Sequence, residues 1–376
     1  MKRYLFIGIA DQPLLIGLVT NLKKKDPSCR VDVLAIKPVK NNSNVYDKIY
    51  KLTFYEWYLL NIKHGSSYVI KLCLLFWCFF QKNKYDLIEL HYCDLFHASM
   101  IRFYRRFCTK VVAILWGSDI FRLPERLYPV MKKLLLQCDI INCSTLPMRD
   151  KIKMIMGKEF SEKKITQCLF GLELLNKIQH IVDKSCSKDE LANVLELQNY
   201  NKNLMIITIG SNGSEGQQHL DIIDSLSNIN FNNVYFILPL TYGLSQEYYR
   251  KIKQSLIGFK SPSYCLTKFM TTEQIASLRL ITDVFIQLQI TDALSGAMQE
   301  HLYAKNIVIT GSWLNYDILK NNGVYYEMVD NVKQIGMKLK SVVENYHLIK
   351  KSFYNNSEKI WDLSSWEHCI DDWLKF

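Results

Sequence analysis

The fold of this chain is decided by one stretch, Thr291-Asp292-Ala293-Leu294-Ser295-Gly296-Ala297-Met298-Gln299-Glu300. It follows an apolar run at 284–288 that is typical of a buried strand, and it precedes a second apolar run at 307–310. The stretch is therefore predicted to be a strand-to-helix turn, with Asp292 at its entrance and Glu300 two helical turns further on. Because ligands of open α/β sheets bind where strands end and helices begin, this turn is a candidate site.

Two interpretations of the carboxylates stay open on these residues alone. Asp292 would cap the helix and Glu300 would face solvent, which is the commoner use of such a pair. Alternatively, the turn offers N–H groups for a phosphate, with Ser295 beside them, and acids that grip sugar hydroxyls. A nucleotide sugar needs both.

The composition is that of a globular protein. The chain has 376 residues, of which 49% are apolar and 22% charged, and this length allows two domains of ordinary size. Lys and Arg exceed Asp and Glu by 47 to 36, giving a net charge of +11. This excess favours an anionic partner, which is a nucleic acid, an acidic membrane face or a phosphorylated substrate.

The 11 cysteines predict neither a metal site nor a disulfide framework, because their number is odd and none forms a Cys-x-x-Cys pair. Free thiols in a reducing cytoplasm explain them. The apolar residues 4–10 after Met1-Lys2-Arg3 predict a first strand and not a signal peptide, because Asp11 and Pro13 end the run early. The most apolar window, 68–80, is shorter than the roughly 20 residues that span a bilayer. It predicts a buried helix, with a membrane-touching helix as the alternative.

Strand and helix patterns alternate along most of the chain, which predicts parallel, doubly wound sheets. The alternation stops between 171 and 202 and then restarts, so we expect two Rossmann-like domains facing across a cleft in which a ligand would bind. The predicted strands are 4–9, 31–36, 49–54, 86–90, 111–115, 140–143 and 165–169 in the first half, and 204–209, 234–238, 264–267, 284–288, 307–310 and 325–329 in the second. The predicted domains are 1–180 and 203–350, with a linker at 181–202 and a C-terminal amphipathic helix at 351–376 that packs back on the N-terminal domain.

A glycine-rich loop follows the strand at 204–209. Glycines let a backbone approach a phosphate closely, and the next helix N-terminus attracts the anion. The loop matches neither a P-loop nor G-x-G-x-x-G, and an ordinary turn is the alternative. The candidate donor residues here are Gly210, Ser211, Asn212 and Ser214, with His219 one turn into the helix.

Two further candidates follow the next strands. Tyr242 lies in Pro239-Leu240-Thr241-Tyr242-Gly243, where it could pack on a base or a sugar, although Pro and Gly also simply end a strand. Lys268 follows the strand at 264–267 and could meet a phosphate, with a solvated surface lysine as the commoner interpretation.

The first half contributes Trp116-Gly117-Ser118-Asp119 after the strand at 111–115. Trp beside Gly is a good platform for a sugar ring, and Asp119 could accept a proton, although Ser118 or Asp119 could merely cap a helix. His91 and Asp94 follow another strand end, which makes a general base among His91, Asp94 and Asp119 a hypothesis. These residues are too sparse for a metal site.

A basic and aromatic segment lies at 102–110, with Arg102, Arg105 and Arg106 interleaved with Phe103, Tyr104 and Phe107. A solvated charged face is the usual interpretation of such a segment. Next to the apolar window at 68–80, it could instead meet anionic lipid.

Together these segments resemble bacterial GT-B glycosyltransferases. The 209–219 stretch, followed by 239–243 and Glu247-Tyr248, resembles family 56, the aminodideoxysugar transferases of enterobacterial common antigen. That family has a Gly-Asn-Ser-type loop with a downstream His and then a Pro-x-x-Tyr segment. Residues 116–119 are similar to its Trp-Gly-x-Asp motif.

The opening stretch is similar to the Glu-x7-Glu motif of the retaining family 4, with Asp292 in place of the first Glu. The Arg/Lys phosphate pair of family 4 is not evident after Gly210. The two families differ in stereochemical outcome, so retention and inversion both stay open.

The resemblance implies a cytoplasmic, metal-independent transferase without a cofactor, which uses a nucleoside-diphosphate sugar as donor. The second domain would bind this donor, with Glu300 holding it and Asp292 contacting its sugar. The first domain would bind the acceptor, with Asp119 or His91 facing the acceptor hydroxyl. The implied acceptor is a polyprenyl-diphosphate-linked glycan of surface polysaccharide synthesis, O-antigen or capsule, with peripheral contact at the inner membrane.

Two alternatives share this pattern, a sugar-nucleotide epimerase and a non-catalytic nucleotide-sugar-binding partner protein. A Rossmann oxidoreductase is disfavoured, because 6–11 lacks the second and third glycines of its pyrophosphate turn. A nucleic-acid-binding protein is disfavoured because no recognition motif occurs.

Overall fold

The computed structural model describes residues 1–40, 44–62, 65–227 and 229–376. The chain divides into two compact units. The first unit contains 1–171 and 366–376, and the second contains 172–365.

The first unit is built on a seven-stranded parallel sheet of order β3-β2-β1-β4-β5-β6-β7. Its inner strands are buried on both faces, which explains why they read as continuous apolar runs. The strands are β1 (Arg3–Gly8), β2 (Arg30–Ala35), β3 (Lys48–Lys51), β4 (Tyr85–His91), β5 (Cys108–Ile114), β6 (Ile140–Asn142) and β7 (Ile165–Thr166). The helices are α1 (Pro13–Lys25), α2 (Thr53–Asn61), α3 (Ser66–Phe80), α4 (His97–Tyr104), α5 (Ser118–Phe121), α6 (Tyr128–Gln137) and α7 (Leu146–Met156), together with the last helix of the chain, α18 (Trp366–Trp373).

The second unit is built on a six-stranded parallel sheet of order β10-β9-β8-β11-β12-β13. The strands are β8 (Met205–Ile209), β9 (Val234–Pro239), β10 (Ser263–Leu266), β11 (Val284–Gln287), β12 (Ile307–Gly311) and β13 (Glu327–Val329). The helices are α8 (Leu174–Asp183), α9 (Lys188–Val194), α10 (His219–Ser227), α11 (Gln246–Ile257), α12 (Thr272–Ile281), α13 (Gly296–Tyr303), α14 (Asp317–Asn321), α15 (Ile335–Glu344), α16 (Tyr346–Lys350) and α17 (Asn356–Ser364). The predicted α/β class with two doubly wound sheets is confirmed.

Each sheet has one topological switch point. In the first unit the strand order reverses between β1 and β4, and in the second it reverses between β8 and β11. Loops on either side of such a point leave in opposite directions, so a crevice opens at the carboxyl edge of the sheet. The two switch points are therefore the places in the two sheets where this fold class would hold a ligand.

Two chain segments differ in detail from the sequence interpretation. Residues 181–202, predicted as a linker, lie in the second unit, where Ile181 and Leu191 are buried in its core. The tail at 351–376, predicted as one helix, forms α17 and α18, because the backbone is extended at Ser365 (ψ 151°). Within the first unit, α18 packs beside α1, and Lys25 forms an ion pair with Asp371 at 3.0 Å.

Candidate functional site

The switch point of the second unit is closed by hydrogen bonds between the loops that follow β8 and β11. Gln217 Nε2 donates to Gln289 Oε1 over 2.7 Å, and Ile290 N donates to Gly216 O over 2.9 Å. Gln218 Nε2 also donates to Leu288 O. The end of the predicted glycine loop is thus hydrogen-bonded to residues 288–290, which lead directly into the opening stretch.

Gly210 forms a tight turn where β8 ends. Its φ is +69°, a backbone conformation that glycine adopts without strain. A Cβ at this position would lie 2.9 Å from His219 Nε2 and 3.0 Å from Gln217 Oε1. The chain therefore turns tightly over two buried side chains, and a larger residue here would have to displace them.

His219 lies beneath the loop and is fully buried. Within the described part of the chain, neither of its ring nitrogens has a hydrogen-bond partner, and burial lowers its pKa to about 4. It is therefore a neutral imidazole that supports Gly210 from behind.

The loop itself is ordered by internal bonds. Ser211 N donates to Gln217 Oε1 over 3.0 Å, and Ser214 N donates to Asn212 Oδ1 over 2.9 Å. Gly213 N donates to Tyr242 O over 2.8 Å. The amides of two candidate residues, Ser211 and Ser214, are thus engaged within the protein in this conformation, as is the amide of Gly213 between them.

The loop after β9 leans against the glycine loop. Gly243, with φ +73°, has its Cβ position 3.3 Å from Ser214 Cβ. Tyr242 is 54% exposed, and its OH lies 3.5 Å from Asn212 Nδ2. The structure thus brings Tyr242 next to Asn212 and Ser214 and leaves its ring accessible to a ligand.

Lys268 extends into solvent beyond β10. Its side chain is 88% exposed and lies 3.5 Å from Glu196, which is also exposed. Since β10 is the edge strand beside β9, Lys268 shares the carboxyl edge with the other candidates, but two strands separate it from the switch point.

The opening stretch forms the predicted turn, but its polar groups have partners that the sequence did not indicate. The helix cap is Ser295, whose Oγ accepts from Met298 N over 3.1 Å, so the interpretation of Asp292 as the cap is wrong. Asp292 Oδ2 instead accepts from the OH of Tyr316 over 2.8 Å. Tyr316 is buried, and its pKa is raised well above the usual value by that burial and then by Asp292.

Glu300 faces the neighbouring helix α12. Its Oε2 accepts from Arg279 Nε over 3.0 Å and lies 3.0 Å from a second guanidinium nitrogen of the same residue. The Glu300 side chain is 15% exposed and the Arg279 side chain is 6% exposed. Burial raises the pKa of Glu300, and Arg279 opposes this rise. The interpretation of Glu300 as a solvated acid is therefore wrong, because it is one half of a largely buried ion pair.

Sequence reasoning missed three side chains around this switch point. Gln217 lies in the segment that leads into α10, and Tyr316 lies 24 residues from the aspartate that it contacts. Trp313 follows β12 and donates from its indole N–H to Gln289 O over 2.9 Å. Its ring occupies the space beside Gly311, where a Cβ would approach it to 2.4 Å. A glycine two residues before a Trp at a strand end was the available signal.

Asp119 in the first unit holds two loops together at the carboxyl edge of its sheet. Its carboxylate accepts from Cys93 N over 3.1 Å and from Trp116 N over 3.0 Å. It is 8% exposed, and burial raises its pKa to about 6, against the lowering effect of the backbone donors. Asp119 is thus a carboxylate that anchors two loops and whose pKa, about 6, lies near neutral pH.

His91 is buried among aromatic rings and is not exposed at the sheet edge. Its Nε2 lies 2.9 Å from Glu89 Oε2, and both side chains are buried. Rings of Phe6 and Trp373 lie 4.9 and 6.4 Å from the imidazole. Trp116, predicted as a sugar platform, packs on Phe170 at 5.2 Å between ring centroids.

Neither unit shows a metal site in its described residues, because no group of three or more His, Cys, Asp or Glu side chains is placed to hold an ion. Among the helices that the structure describes, none is both long and apolar enough to cross a bilayer.

No family model matches the sequence, and no curated protein matches it either. Solved structures, by contrast, share its fold over the whole chain. A glycosyltransferase from Rickettsia africae is 13% identical with a TM-score of 0.72, and the match covers 100% of this chain and 97% of that one. HepE from Anabaena, solved with UDP and glucose, is 12% identical with a TM-score of 0.69 and coverage of 100% and 99%. A UDP-forming α,α-trehalose-phosphate synthase from Burkholderia vietnamiensis is 10% identical with a TM-score of 0.72 and coverage of 100% and 99%. The chain therefore has the two-domain α/β fold of these GT-B proteins.

Proposed function

We propose that the protein is a glycosyltransferase that moves a sugar from a nucleoside-diphosphate sugar to a glycan acceptor. The observation that carries this proposal is the β8–β11 switch point, where the glycine loop is hydrogen-bonded to the loop after β11. The exposed Tyr242 lies beside the first loop, and Asp292, bonded to Tyr316, follows the second. The fold shared with HepE, which was solved with UDP and glucose, supports the same ligand class here.

The donor occupies the second unit in this proposal. The loop residues Gly210, Ser211, Asn212 and Ser214 surround the diphosphate, which requires the loop to exchange some of its internal bonds for bonds to the ligand. Tyr242 packs on the base or the sugar, and Asp292, oriented by Tyr316, binds sugar hydroxyls. Lys268 and Ser295 lie at the margin of this proposed site. His219 supports the loop from beneath.

Glu300 has a structural role in the ion pair with Arg279 and, in this proposal, a second role in binding the donor. Arg279 contacts Glu300 at Oε2 through two guanidinium nitrogens. We propose that Arg279 orients Glu300 so that Oε1 serves the donor.

Acceptor chemistry is assigned to the first unit. Asp119 takes the proton of the acceptor hydroxyl while that oxygen bonds to the anomeric carbon and the sugar–diphosphate bond breaks. A pKa of about 6 suits a general base that works near neutral pH. His91, buried beside Glu89, is the weaker candidate for the base.

The finer proposal is that the acceptor is a polyprenyl-diphosphate-linked glycan of bacterial surface polysaccharide, used at the cytoplasmic face of the inner membrane. The net charge of +11 and the exposed apolar helices of the first unit support a lipid-linked acceptor. No metal ion or cofactor is part of this proposal.

The first test is thermal stability against UDP, TDP, GDP, CMP and NAD. A ligand at a hundred times its dissociation constant adds about 2.7 kcal/mol of stability. We expect one nucleoside diphosphate to shift the transition selectively, and a shift with none of them, or with NAD alone, contradicts a nucleotide-sugar site. Supplying the matching donor with glycan acceptors then separates a transferase, which releases the diphosphate, from a non-catalytic binding protein.

A further inference from the structure

Helices α2 and α3 of the first unit expose an apolar face that the fold does not use. On α3, Ile70, Leu74 and Cys78 are buried and hold the helix to the unit. The outer face repeats at the same helical spacing but is exposed and equally apolar: Tyr68 is 73% exposed, Leu72 66%, Phe76 70% and Phe79 70%. A surface helix normally presents polar residues outward, so this stripe indicates a binding surface.

A groove opens at this face, between β3, α2 and α3. Its volume is about 1280 Å³, above the roughly 300–1,000 Å³ of pockets for small ligands. Its walls are mainly aromatic and aliphatic, and they include Phe54, Leu72, Phe76, Trp77 and Phe80. The shape and lining fit a flexible hydrocarbon chain better than a polar metabolite.

The charge around the groove has one sign. Three exposed lysines, Lys48, Lys51 and Lys82, line it, and its described lining residues include no carboxylate. In the sequence from 48 to 84 there are six lysines and one acid, Glu56. An apolar trough edged by ammonium groups is complementary to a lipid with an anionic head group.

We infer that this groove takes a hydrocarbon chain of an anionic phospholipid and that the α2–α3 face docks on the bilayer that contains the lipid. Trp57, Leu60 and Phe79 are 54%, 72% and 70% exposed and do not line the groove, so a single bound molecule would leave them in water, whereas a bilayer covers them. A second copy of the chain would bring the same lysines towards each other. With its 15 residues, α3 is about 22 Å long and lies along the membrane surface.

Flotation of the full chain with vesicles tests this inference without any sugar substrate, so its outcome is independent of the proposed function. We expect binding to vesicles of phosphatidylcholine mixed with phosphatidylglycerol and much weaker binding to phosphatidylcholine alone. Leu72→Asp with Phe76→Asp changes two exposed groove residues and should lower binding about a hundredfold or more. Lys48→Gln with Lys82→Gln should lower it about fivefold per lysine on the anionic vesicles only.

The matched control is Met337→Asp with Leu348→Asp, two exposed apolar residues on helices of the second unit, 68% and 69% exposed. It should bind vesicles as the natural chain does. Equal loss in the control, or unchanged binding in the groove variant with its melting temperature preserved, would overturn the inference. So would a dimer in lipid-free solution that the groove variant abolishes, since a second copy would then cover this face.

Native mass spectrometry addresses the groove itself. The chain incubated with dioleoyl-phosphatidylglycerol in mild detergent should retain one lipid, and the Leu72→Asp, Phe76→Asp variant should retain none. Retention by both proteins would place the lipid elsewhere and refute the groove as its site.

Discussion

Gln217 and Gln289 are joined side chain to side chain over 2.7 Å across the switch point of the second unit. Gln217 is buried, and its Oε1 also accepts from Ser211 N over 3.0 Å. One amide group thus fixes the glycine loop at one end and the loop after β11 at the other. In the proposed function, the shape of the donor site would depend on this bridge, although glutamine is not a typical catalytic residue.

Truncation of the bridge should therefore weaken both folding and nucleotide binding. Gln217→Ala removes the partners of Ser211 N and of the Gln289 amide, and we expect a loss of about 1–3 kcal/mol in the free energy of unfolding. The affinity for the nucleoside diphosphate that stabilises the protein should fall at least about tenfold. Chemical denaturation and calorimetric titration measure the two effects.

The comparison variant for that bridge is Gln289→Ala. It removes one bond but keeps the bond from Ser211 N to Gln217, so its effects on stability and affinity should be smaller. Equal affinity in both variants and the natural chain would show that the bridge does not shape the site.

A second prediction concerns Gly210. Its φ of +69° costs any L-residue about 1–2 kcal/mol, and a methyl group would meet His219 Nε2 at 2.9 Å. Gly210→Ala should lower the free energy of unfolding by at least that amount and weaken nucleotide binding, as measured by thermal shift. Gly258→Ala is the control, because nothing lies within 4 Å of its Cβ position and its φ is −85°. If the two variants melt alike, the tight turn at Gly210 is not required.

The positions of the strands along the chain could be predicted from the sequence for a physical reason. Strands of a parallel sheet are buried on both faces, so each appears as a short apolar run, and the alternation with helices implies the winding. The position of the glycine loop could also be predicted, because glycine at a strand end is a local signal.

The partners of the site residues could not be predicted in that way. Asp292 bonds to Tyr316 and Glu300 to Arg279, and each pair is brought together by neighbouring elements and not by local spacing. The cap of α13 was also missed, since Asp292 and Ser295 both suit that position and only the backbone decides where the helix begins. The sequence pattern therefore predicted that these side chains lie at the sheet edge, whereas their partners depend on how the elements pack.

The ion pair between Glu300 and Arg279 leads to a third prediction. Glu300→Gln leaves a guanidinium that is only 6% exposed without its counter-charge, which should cost about 3–5 kcal/mol. Loss of sugar transfer in this variant could therefore result either from unfolding or from the loss of a catalytic group. The double variant Glu300→Gln, Arg279→Gln removes both charges and should recover most of that stability.

Transfer by this double variant separates the two roles of Glu300. If Glu300 serves the donor, as proposed, the double variant folds and still fails to transfer sugar. Recovery of turnover together with the melting temperature would show that Glu300 acts only as the partner of Arg279.

The fourth prediction concerns pH and Asp119. Burial raises the folded-state pKa of Asp119 from 3.8 to about 6, so the folded chain holds this proton more tightly than the unfolded chain does. Ionised Asp119 therefore costs about 3 kcal/mol above pH 6, and this cost is relieved as the pH falls from about 6 to about 4. The difference in unfolding free energy between the natural chain and Asp119→Asn should change by that amount over this range, because other titrating groups cancel in the difference.

The rate of transfer should follow the same ionisation in the opposite sense. If Asp119 accepts the acceptor's proton, kcat/KM rises about tenfold per pH unit below pH 6 and levels off above it, because only the carboxylate is active. Asp119→Asn should lose most of the activity and should show no such rise in what remains. The variant keeps an oxygen that can accept from Trp116 N or Cys93 N, so circular dichroism should show a folded protein. A natural chain whose rate does not change with pH between about 5 and 7, or a variant that keeps the full rate, would remove Asp119 from the chemistry and leave it as the residue that ties the loops after β4 and β5 together.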